Sequence, residues 1–376
     1  MSVFNPIPVA EHGSGTGFWK RPNAKAEPEL LALWLKMTSK AKSVLPSIVL
    51  NEPPLCAGDT PPAGESRMAP EAAALCHMYD ARPFTQRSTC RTRRSHRARG
   101  HERSRNWSGA VVPAESGLEF NRVGGGWKAP ANEGRFDATN AKPSQMSVWV
   151  GLGGARLWEK SLPQMGSEHG YDGNGLVDRL WVQWWLGESS GKAALSSWVQ
   201  GIRCQAGDEI LCMITVTAPQ VVEFYFKNQT TGELAGVRGT GARPVIGASA
   251  EWVVERPTYL AYACNVPGAV EHGADPHALI SNGLFALPKF EMVEMHDCAA
   301  TLGDGASLRA RTLADADVIT MLGRRERPTR IYKAVVPWIV PVGTTGSLLR
   351  RSSHRVALAG DLALLVKQTT KAAPRA

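Results

Sequence analysis

The sequence predicts an all-β protein in which antiparallel strands form a sandwich or a barrel. The 376 residues include 37 Gly, 25 Pro and 12 Trp, a composition typical of turn-rich β proteins. Short runs of apolar and β-branched residues recur between clusters of Gly, Pro or Asn. After residue 106, no run of helical length repeats its apolar residues with a period of 3.6. Many short strands without intervening helices indicate this class of fold.

The first 105 residues give weaker structural signals. Residues 1–28 have no periodic pattern and are predicted to form loops. Residues 29–43 predict one short helix, because leucine and tryptophan residues recur there at helical spacing. Residues 51–69 are rich in Pro, Gly and Ser, which predicts a linker.

Strand candidates follow one another after residue 106. Each combines β-branched or aromatic residues with flanking turn residues. They are Ser147–Leu152, Leu180–Leu186, Glu209–Thr217, Val221–Lys227, Ala250–Glu255, Phe290–Met295 and Ala316–Leu322. The glycine-rich runs 124–126 and 239–241 open no helix, so they are interpreted as turns and not as phosphate-binding loops. Beyond about Arg330 the chain is basic and irregular, which predicts a frayed tail.

The formal net charge of +9 is unevenly distributed. Residues 1–105 carry a net charge of +7, residues 106–302 a net charge of −6, and residues 303–376 a net charge of +8. The run 82–105 holds nine arginines and one acid. A charge run of this kind is typical both of a solvated spacer and of an arm that binds nucleic acid. Few aromatic residues interleave with the arginines, which favours the spacer.

Cysteine usage and the N-terminus bear on the cellular context. The seven cysteines are an odd number without CxxC or metal-ligand spacing, which predicts neither a zinc site nor a disulfide-dense scaffold. A Cys204–Cys212 bridge and buried free thiols both stay open, with free thiols favoured. No run approaches the ~20 apolar residues of a transmembrane helix. Residues 1–10 lack the basic and apolar regions of a signal peptide.

Six short motifs occur in a set order along the centre of the chain. They are Asn106-Trp-Ser-Gly109, Ser147-Val-Trp-Val-Gly-Leu-Gly153, Gln164-Met-Gly166, Trp181-Val-Gln-Trp184, Gly207-Asp-Glu-Ile210 and Ser249-Ala-Glu-Trp252. Each motif is weak by itself, but six in one order make chance a poor explanation. The series resembles the glutamic peptidases, also called eqolisins (peptidase family G1), which are acid endopeptidases that pair a glutamine with a glutamate. The resemblance covers roughly residues 106–322.

The resemblance implies both a site and a fold. Gln164 and Glu251 match the catalytic pair of the family. Trp149 and Trp181 match tryptophans that line the substrate cleft, which Gln183 is expected to line as well. The family fold is a two-sheet antiparallel β-sandwich of the concanavalin A-like type, and its chemistry needs no metal and no cofactor.

Domain organisation, partners and location are expected from the same resemblance. Residues 106–330 would form the peptidase domain, between a basic, largely irregular N-terminal segment over 1–105 and a basic tail over 331–376. Relatives are made with a basic N-terminal propeptide, so attraction between opposite charges would hold the N-terminal segment on the acidic core until acid weakens the contact. The expected partners are polypeptide substrates, with no nucleic acid and no membrane, and the chain is expected to be a monomer. Secretion is expected too, although no signal peptide is visible.

Peptide hydrolysis without a metal, serine or cysteine needs a base for water and a donor for the developing oxyanion. A glutamate supplies the base, and a glutamine supplies uncharged N–H donors. An ordinary glutamate pKa of about 4.3 would place the working range in acid. Strand alternation puts Glu251 and Glu255 on one face and Trp252 on the other. Trp252 and Trp184 are therefore predicted to pack in the core. Glu255 is predicted to be a solvated rim residue, and it is the fallback acid because it shares the face of Glu251.

Two positions depart from the family pattern. Gln183 replaces the acid of the usual Trp-x-Glu-Trp motif, and Gly153 replaces an aspartate near the catalytic pair. Both changes remove a carboxylate close to Glu251, which predicts a lower pKa for Glu251 than in relatives at equal burial. The alternative to a peptidase is a non-catalytic concanavalin-like module that holds peptide or glycan on a tryptophan-lined face. Such a module has no need of both Gln164 and Glu251, which favours the peptidase.

Overall fold

The structure, a computed structural model, describes most of the chain. The described residues are 2–9, 19–51, 76–78, 101–131, 144–155, 159–171, 175–187, 195–266, 268–290, 292–303, 307–325, 330–341 and 362–369. They include helix α1 (Pro28–Thr38) and the short 3₁₀ turns Ala263–Asn265 and Leu313–Asp315. The strands are β1 (Val3–Ile7), β2 (Lys42–Ser43), β3 (Ser47–Leu50), β4 (Cys76–Met78), β5 (His101–Ser104), β6 (Trp107–Pro113), β7 (Phe120–Lys128), β8 (Ser144–Leu152), β9 (Leu162–Tyr171), β10 (Leu176–Trp185), β11 (Ser197–Gln200), β12 (Glu209–Ala218), β13 (Val221–Asn228), β14 (Glu233–Thr240), β15 (Ser249–Glu255), β16 (Thr258–Tyr262), β17 (Leu279–Leu284), β18 (Met292–Gly303), β19 (Leu308–Thr312), β20 (Asp317–Arg325), β21 (Arg330–Pro341) and β22 (Leu362–Gln368).

Most of these strands form one nearly closed sheet with two halves that face each other. The site half runs in the order β3, β11, β10, β9, β8, β15, β6 and β20, and the helix half in the order β1, β14, β13, β12, β7 and β18. Strands β21 and β22 connect β20 to β18 and so join the halves along one edge. These pairings are antiparallel, which confirms the predicted all-β antiparallel class. The division into two concanavalin A-like sheets stays a prediction.

The main hydrophobic core lies between the two halves. The site half contributes Trp184 and Trp252, as predicted, and the helix half contributes Trp127 and Phe224. Val253, the neighbour of Trp252, belongs to a separate cluster on the outer face of the site half. A slip of one residue would move Trp252 out of the core, so packing fixes the register of β15.

Helix α1 packs on the outer face of the helix half. Its buried residues Leu30, Leu33 and Met37 belong to one hydrophobic cluster with apolar side chains of β12, β13 and β18. A short helix is stable mainly when such an apolar stripe finds a partner. The predicted helix is confirmed, and it ends at Thr38 because Ser39 adopts an extended conformation.

A buried ion pair fixes the start of α1. Glu27, which is 2 % exposed, binds Arg122 of β7 and accepts a hydrogen bond from Thr301 of β18. Further along the N-terminal segment, β1 pairs with β14 and β3 pairs with β11. The described part of residues 2–51 therefore belongs to the folded unit.

Segments 1–105 and 331–376 were expected to be largely irregular, but their described parts contain strands that pair with the sheet. Strands β21 and β22 lie in the sheet because their apolar residues complete the edge between the halves. The predicted linker 51–69 beyond its first residue and most of the arginine run 82–105 lie outside the described residues. The domain boundaries themselves stay a prediction.

Three consecutive glycines, residues 124–126, lie inside β7, so their interpretation as a turn is wrong. A Cβ on Gly124 would lie 2.5 Å from Leu33 Cδ2 of α1, and a Cβ on Gly125 would lie 3.1 Å from Cδ1 of Trp252. Neighbours thus approach β7 closely from both faces, and larger side chains would not fit. The run 239–241 was also interpreted as a turn, but Gly239 and Thr240 belong to β14.

Candidate active site

Glu251 and Gln164 lie in one cross-strand row of the site half. Glu251 of β15 is directly opposite Gly151 of β8, and Gly151 is directly opposite Gln164 of β9. The row continues to Gln183 of β10. At a strand spacing of about 4.8 Å, the α-carbons of Glu251 and Gln164 are about 10 Å apart. Gly151 carries no side chain, and the place where its Cβ would lie is bordered by Leu162 Cδ1 at 2.8 Å and Trp149 Cζ3 at 2.9 Å.

Apolar neighbours hold both functional side chains on this face. Ala250, Trp252 and Met165 point into the main core. Because consecutive strand residues point to opposite faces, Glu251 and Gln164 must project from the other side of the sheet. The apolar residues of that side form a cluster that we call the tryptophan face. It comprises Trp107, Val111, Trp149, Leu162, Trp181, Trp185, Trp198, Val253 and Ile319.

Gln164 and Gln183 are joined by a direct hydrogen bond. Nε2 of Gln164 donates to Oε1 of Gln183 over 2.6 Å, and both side chains are buried. Oε1 of Gln164 has no hydrogen-bond partner among the described residues. Gln183 therefore orients the amide of Gln164, which is a contact that the sequence analysis did not anticipate.

Glu251 is fully buried, and neither of its carboxylate oxygens has a hydrogen-bond partner among the described residues. Burial and, next, the negative charge of Glu159 raise the pKa of Glu251 well above its ordinary value. The Ser249 hydroxyl and the Gly153 N–H oppose this rise but point mainly elsewhere, to Glu159 and to the Ser249 carbonyl. The buried environment therefore favours the protonated form of Glu251 more than water does.

Glu159 is the residue near the site that sequence reasoning missed. It follows β8 in the connection to β9 and stands outside all six motifs, so no motif signals it. The expectation that Glu251 has lost its carboxylate neighbours is wrong on this point, because a hairpin connection brings an acid back beside the row. The sequence indicated Glu159 only by the presence of one acid in the connection between β8 and β9.

Trp149 occupies the next row of the same face. Its Nε1 donates to Oε2 of Glu255 over 2.9 Å, and its ring packs edge-on against Trp107 with centroids 4.9 Å apart. Glu255 also accepts a hydrogen bond from Asn106 Nδ2 at 3.3 Å and is fully buried. The prediction of Glu255 as a solvated rim residue is wrong, because the carboxylate anchors the ring of Trp149.

Trp181 lies in the same row as Trp149, with Gly166 between them. Its Nε1 donates to the Ser147 hydroxyl over 2.9 Å. Arg179, two residues before Trp181 on β10, stacks its guanidinium over the Trp198 ring at 3.7 Å. The rings of Trp149 and Trp181 are thus fixed by hydrogen bonds at their edges.

A second polar cluster lies on the core side of β9. His169 bridges Ser167 Oγ and Asp178 Oδ1, with both contacts at 2.7 Å, and Trp127 Nε1 donates to the same hydroxyl over 2.8 Å. The three groups have the order of a Ser-His-Asp triad. Ser167 and His169 are fully buried between the sheet halves, where the hydroxyl is held by Trp127. This cluster therefore satisfies buried polar groups of the core.

The five predicted site residues meet on one face. Gln164, Gln183 and Glu251 share one row, and Trp149 and Trp181 share the next. All five are fully buried. A buried carboxyl and a buried amide thus flank one glycine, which puts a group that can exchange a proton and an N–H donor in one row, and aromatic rings occupy the adjoining row.

The described cysteines are mostly buried free thiols. Cys204, Cys212 and Cys298 are buried free thiols, which confirms the favoured interpretation of Cys204 and Cys212, while Cys264 is disulfide-bonded. Within the described ranges, no three His, Cys, Asp or Glu side chains come together as a metal site. In that same part of the chain, no helix has the length and apolar character needed to cross a membrane.

Comparison with known proteins gives a family and distant structural likenesses. The model of the Peptidase A4 family matches residues 105–332. No curated protein sequence matches the chain. Scytalido-glutamic peptidase, solved with a transition-state analogue inhibitor, shares 18 % identity with a TM-score of 0.47, covering 70 % of this chain and 98 % of that one. SCP-B, an eqolisin in complex with the tripeptide Ala-Ile-His, shares 17 % identity with a TM-score of 0.46 over 70 % of this chain and 98 % of its own.

Aspergilloglutamic peptidase from Aspergillus niger is similar at 17 % identity and a TM-score of 0.38, covering 60 % of this chain and 99 % of its own. These structural likenesses are distant. The assignment rests on the family match over residues 105–332, which is more than half of the chain. The chain belongs to the Peptidase A4 family, the glutamic peptidases or eqolisins, and it is a peptide hydrolase.

Proposed function

We propose that Glu251 is the general base and acid of this endopeptidase and that Gln164 stabilises the oxyanion. The observation that carries the proposal is the row in which Glu251 and Gln164 face each other across Gly151. A peptide carbonyl placed over Gly151 would have a carboxyl on one side and N–H donors on the other. This is the minimum arrangement for amide hydrolysis without a metal or a nucleophilic side chain.

The reaction uses each group in turn. Glu251, in its ionised form, takes a proton from water as the water oxygen bonds to the carbonyl carbon. The carbonyl oxygen becomes negative and accepts an N–H bond from Gln164. Protonated Glu251 then gives the proton to the amide nitrogen as the C–N bond breaks. The products are a carboxylic acid and an amine, and Glu251 returns to its ionised form.

Gln183 supports this role through the amide of Gln164. A primary amide has two N–H donors, and the bond to Gln183 uses one of them. The second N–H remains for the oxyanion. We therefore assign Gln183 a positioning role in place of the direct substrate contact expected from its sequence position.

Trp149 and Trp181 are proposed to hold the substrate. Their rings belong to the tryptophan face beside the catalytic row, and hydrogen bonds to Glu255 and Ser147 fix their orientation. Rigid aromatic rings bind an extended polypeptide at small cost in side-chain entropy. The alternative of a non-catalytic binding module would use the same face, but no observation favours it over a peptidase.

The buried state of the site supports a closed form that must open. Glu251 and Gln164 are fully buried, so a polypeptide reaches them only after covering groups move away. We propose that cleavage in the run 82–105, at acid pH, accompanies this opening. The disulfide at Cys264 agrees with secretion into an oxidising environment. A monomeric state and the absence of nucleic-acid binding stay predictions.

An acid proteolysis assay tests the proposed function. The full chain is incubated from pH 2 to 7 with denatured protein, with and without pepstatin. Cleavage that resists pepstatin is expected, because the proposed pair contains no aspartic dyad. Self-cleavage in the run 82–105 is expected to precede full activity. A folded chain that cleaves no substrate at any pH would contradict the proposal and favour the binding module.

Gly151→Ala is expected to lower kcat/KM by roughly tenfold or more, because small displacements of positioned groups slow enzymes strongly. The new Cβ would lie 2.8 Å from Leu162 Cδ1, 2.9 Å from Trp149 Cζ3 and 3.3 Å from Gln164 Cβ, so side chains around the row must shift. Gly175→Ala is the matched control, since a Cβ there meets no atom within 4 Å. Equal kcat/KM for the two variants on one peptide substrate would show that Gly151 is not part of the active site.

A further inference from the structure

A second carboxyl group is held beside Glu251. Glu159 lies in the connection between β8 and β9 and is 1 % exposed. The Ser249 hydroxyl lies 3.4 Å from its Oε1 and 3.3 Å from its Oε2 and donates to this carboxylate. Ser249 is two residues from Glu251 on the same face of β15. The strand that carries Glu251 therefore also fixes the position of Glu159.

The corner occupied by Glu159 admits no side chain from position 153, directly after β8. Gly153 has a φ of +88°, and a Cβ there would lie 2.7 Å from the carbonyl oxygen of Ser161. The same Cβ would lie 4.0 Å from Oε2 of Glu159. An acid at position 153 is thus excluded by the backbone, and the carboxylate of Glu159 reaches the same corner from the other side of the connection.

Hydrogen bonding distinguishes the two carboxyl groups. Glu159 accepts the Ser249 hydroxyl, whereas no described residue donates to Glu251. A donor stabilises the charged form of a carboxyl, and burial without a donor stabilises the neutral form. The hydroxyl donor between the pair therefore faces Glu159, and Glu251 is the carboxyl whose neutral form is favoured. This distribution agrees with the raised pKa of Glu251, to which Glu159 contributes after burial.

Other described charges near this face act on Glu251 less directly. Glu255 lies four residues along β15, and Glu168 of β9 is paired with Arg179 at 3.2 Å. Asp317 of β20 belongs to the row but is separated from Glu251 by strand β6. Among the described groups, only the charge of Glu159 contributes to the raised pKa of Glu251.

We propose that Glu159 is a positioning residue of the reaction: held by Ser249 beside Glu251, its negative charge sets the pH range in which Glu251 takes a proton from water. The inference rests on the proposed role of Glu251. Entry of water at the site would relieve burial, but the Ser249 contact joins Glu159 to the strand that carries Glu251, so its charge remains beside Glu251. Glu251 is then an effective base only at a higher pH than an isolated glutamate requires.

The pH profile of kcat/KM tests this role. Glu159→Gln keeps the size of the side chain and an oxygen for the Ser249 hydroxyl but removes the charge. The acid limb of the profile is expected to move to lower pH by about one unit, with kcat on the plateau unchanged. Asp317→Asn is the control for a carboxylate two strands away in the same row, and it is expected to leave the limb in place.

Three activity results would overturn the proposal. An acid limb that stays in place in Glu159→Gln would show that the charge has no influence on Glu251. Loss of activity at every pH in a folded variant would make Glu159 a direct participant in the chemistry. An equal movement in Asp317→Asn would assign the effect to net charge and not to the contact beside Ser249.

A stability measurement separates this inference from the proposed catalysis. Melting temperatures from pH 3 to 8 are compared for the wild type, Glu159→Gln, Glu251→Gln and the double variant. If Glu159 raises the pKa of Glu251, Glu159→Gln flattens the pH dependence when Glu251 is present and has a smaller effect when residue 251 is Gln. Equal effects in both backgrounds would contradict the coupling, whether or not the chain cleaves peptides.

Discussion

Glu251→Gln is expected to remove nearly all peptidase activity and, at the same time, to stabilise the folded protein at neutral pH. A glutamine cannot take the proton from water, and loss of a general acid–base group lowers rates by roughly 10²–10⁴-fold. The stabilisation follows from burial. Glu251 has no hydrogen-bond donor among the described residues, so the folded state holds it in the neutral form that glutamine imitates.

The sign of the pH dependence follows from the raised pKa of Glu251 in the folded state. In the unfolded chain the same carboxyl ionises near its ordinary pKa of about 4.3. Below that value both states bind the proton, and wild type and variant differ little in this contribution. As pH rises toward the folded-state pKa, only the unfolded state loses its proton, and the wild type loses about 1.4 kcal/mol of stability per pH unit relative to the variant.

Paired measurements of kcat/KM and melting temperature at pH 3 and pH 7 check this expectation. Glu29→Gln is the control, because Glu29 is an exposed acid on α1, on the opposite side of the molecule. The active-site variant should gain melting temperature at pH 7 and little at pH 3, whereas the control should do neither. A Glu251→Gln variant that is less stable at pH 7 would mean that the carboxylate is ionised and bound in the folded state.

The sequence was most informative where local alternation and packing agree. Glu251 and Trp252 alternate between the site and the core as predicted, because burying Trp252 leaves the adjacent residue on the opposite face. The strand candidates after residue 106 all overlap observed strands for the same reason, although the ends differ, by eight residues where the candidate Phe290–Met295 overlaps β18. Patterns of this kind are read from one strand at a time.

Features that depend on a distant partner were not predictable from the same patterns. Strand β9 has a polar, glycine-containing sequence and was not a candidate. Cβ atoms on Gly166 and Gly170 would lie 2.2 and 2.1 Å from backbone oxygens of β8. The close approach of the neighbouring strand therefore requires glycine at these two positions. Likewise, nothing local links the glycines of β7 to α1, which lies about 90 residues earlier in the sequence.

The site itself shows the same division. The motif order predicted the pair Gln164 and Glu251, which the structure brings into one row, but it signalled neither the contact between Gln183 and Gln164 nor Glu159. Both discrepancies arise from contacts across strands: Gln183 faces Gln164 in the register of β9 and β10, and Glu159 returns through a hairpin connection. Substitution of an acid in a motif therefore does not establish that the site lacks the charge.

Gln164→Ala is expected to lower kcat by about 10²–10³-fold, or about 2.7–4 kcal/mol of barrier, with a small change in KM. Its amide is proposed to meet the oxyanion, which exists only after water has attacked, so its loss affects the transition state more than substrate binding. Gln200→Ala is the matched control, since Gln200 is an exposed glutamine of the neighbouring strand β11.

Gln183→Leu separates orientation of the amide from its chemistry. Without the Gln183 oxygen, the Gln164 amide loses the 2.6 Å bond that directs one of its N–H groups, so kcat should fall by less than in Gln164→Ala. If Gln183 acts through Gln164, the double variant should be no slower than Gln164→Ala alone, a non-additive result for two groups that work as a unit. Additive losses would instead assign Gln183 a contact of its own with the substrate, as its position in the motif first suggested.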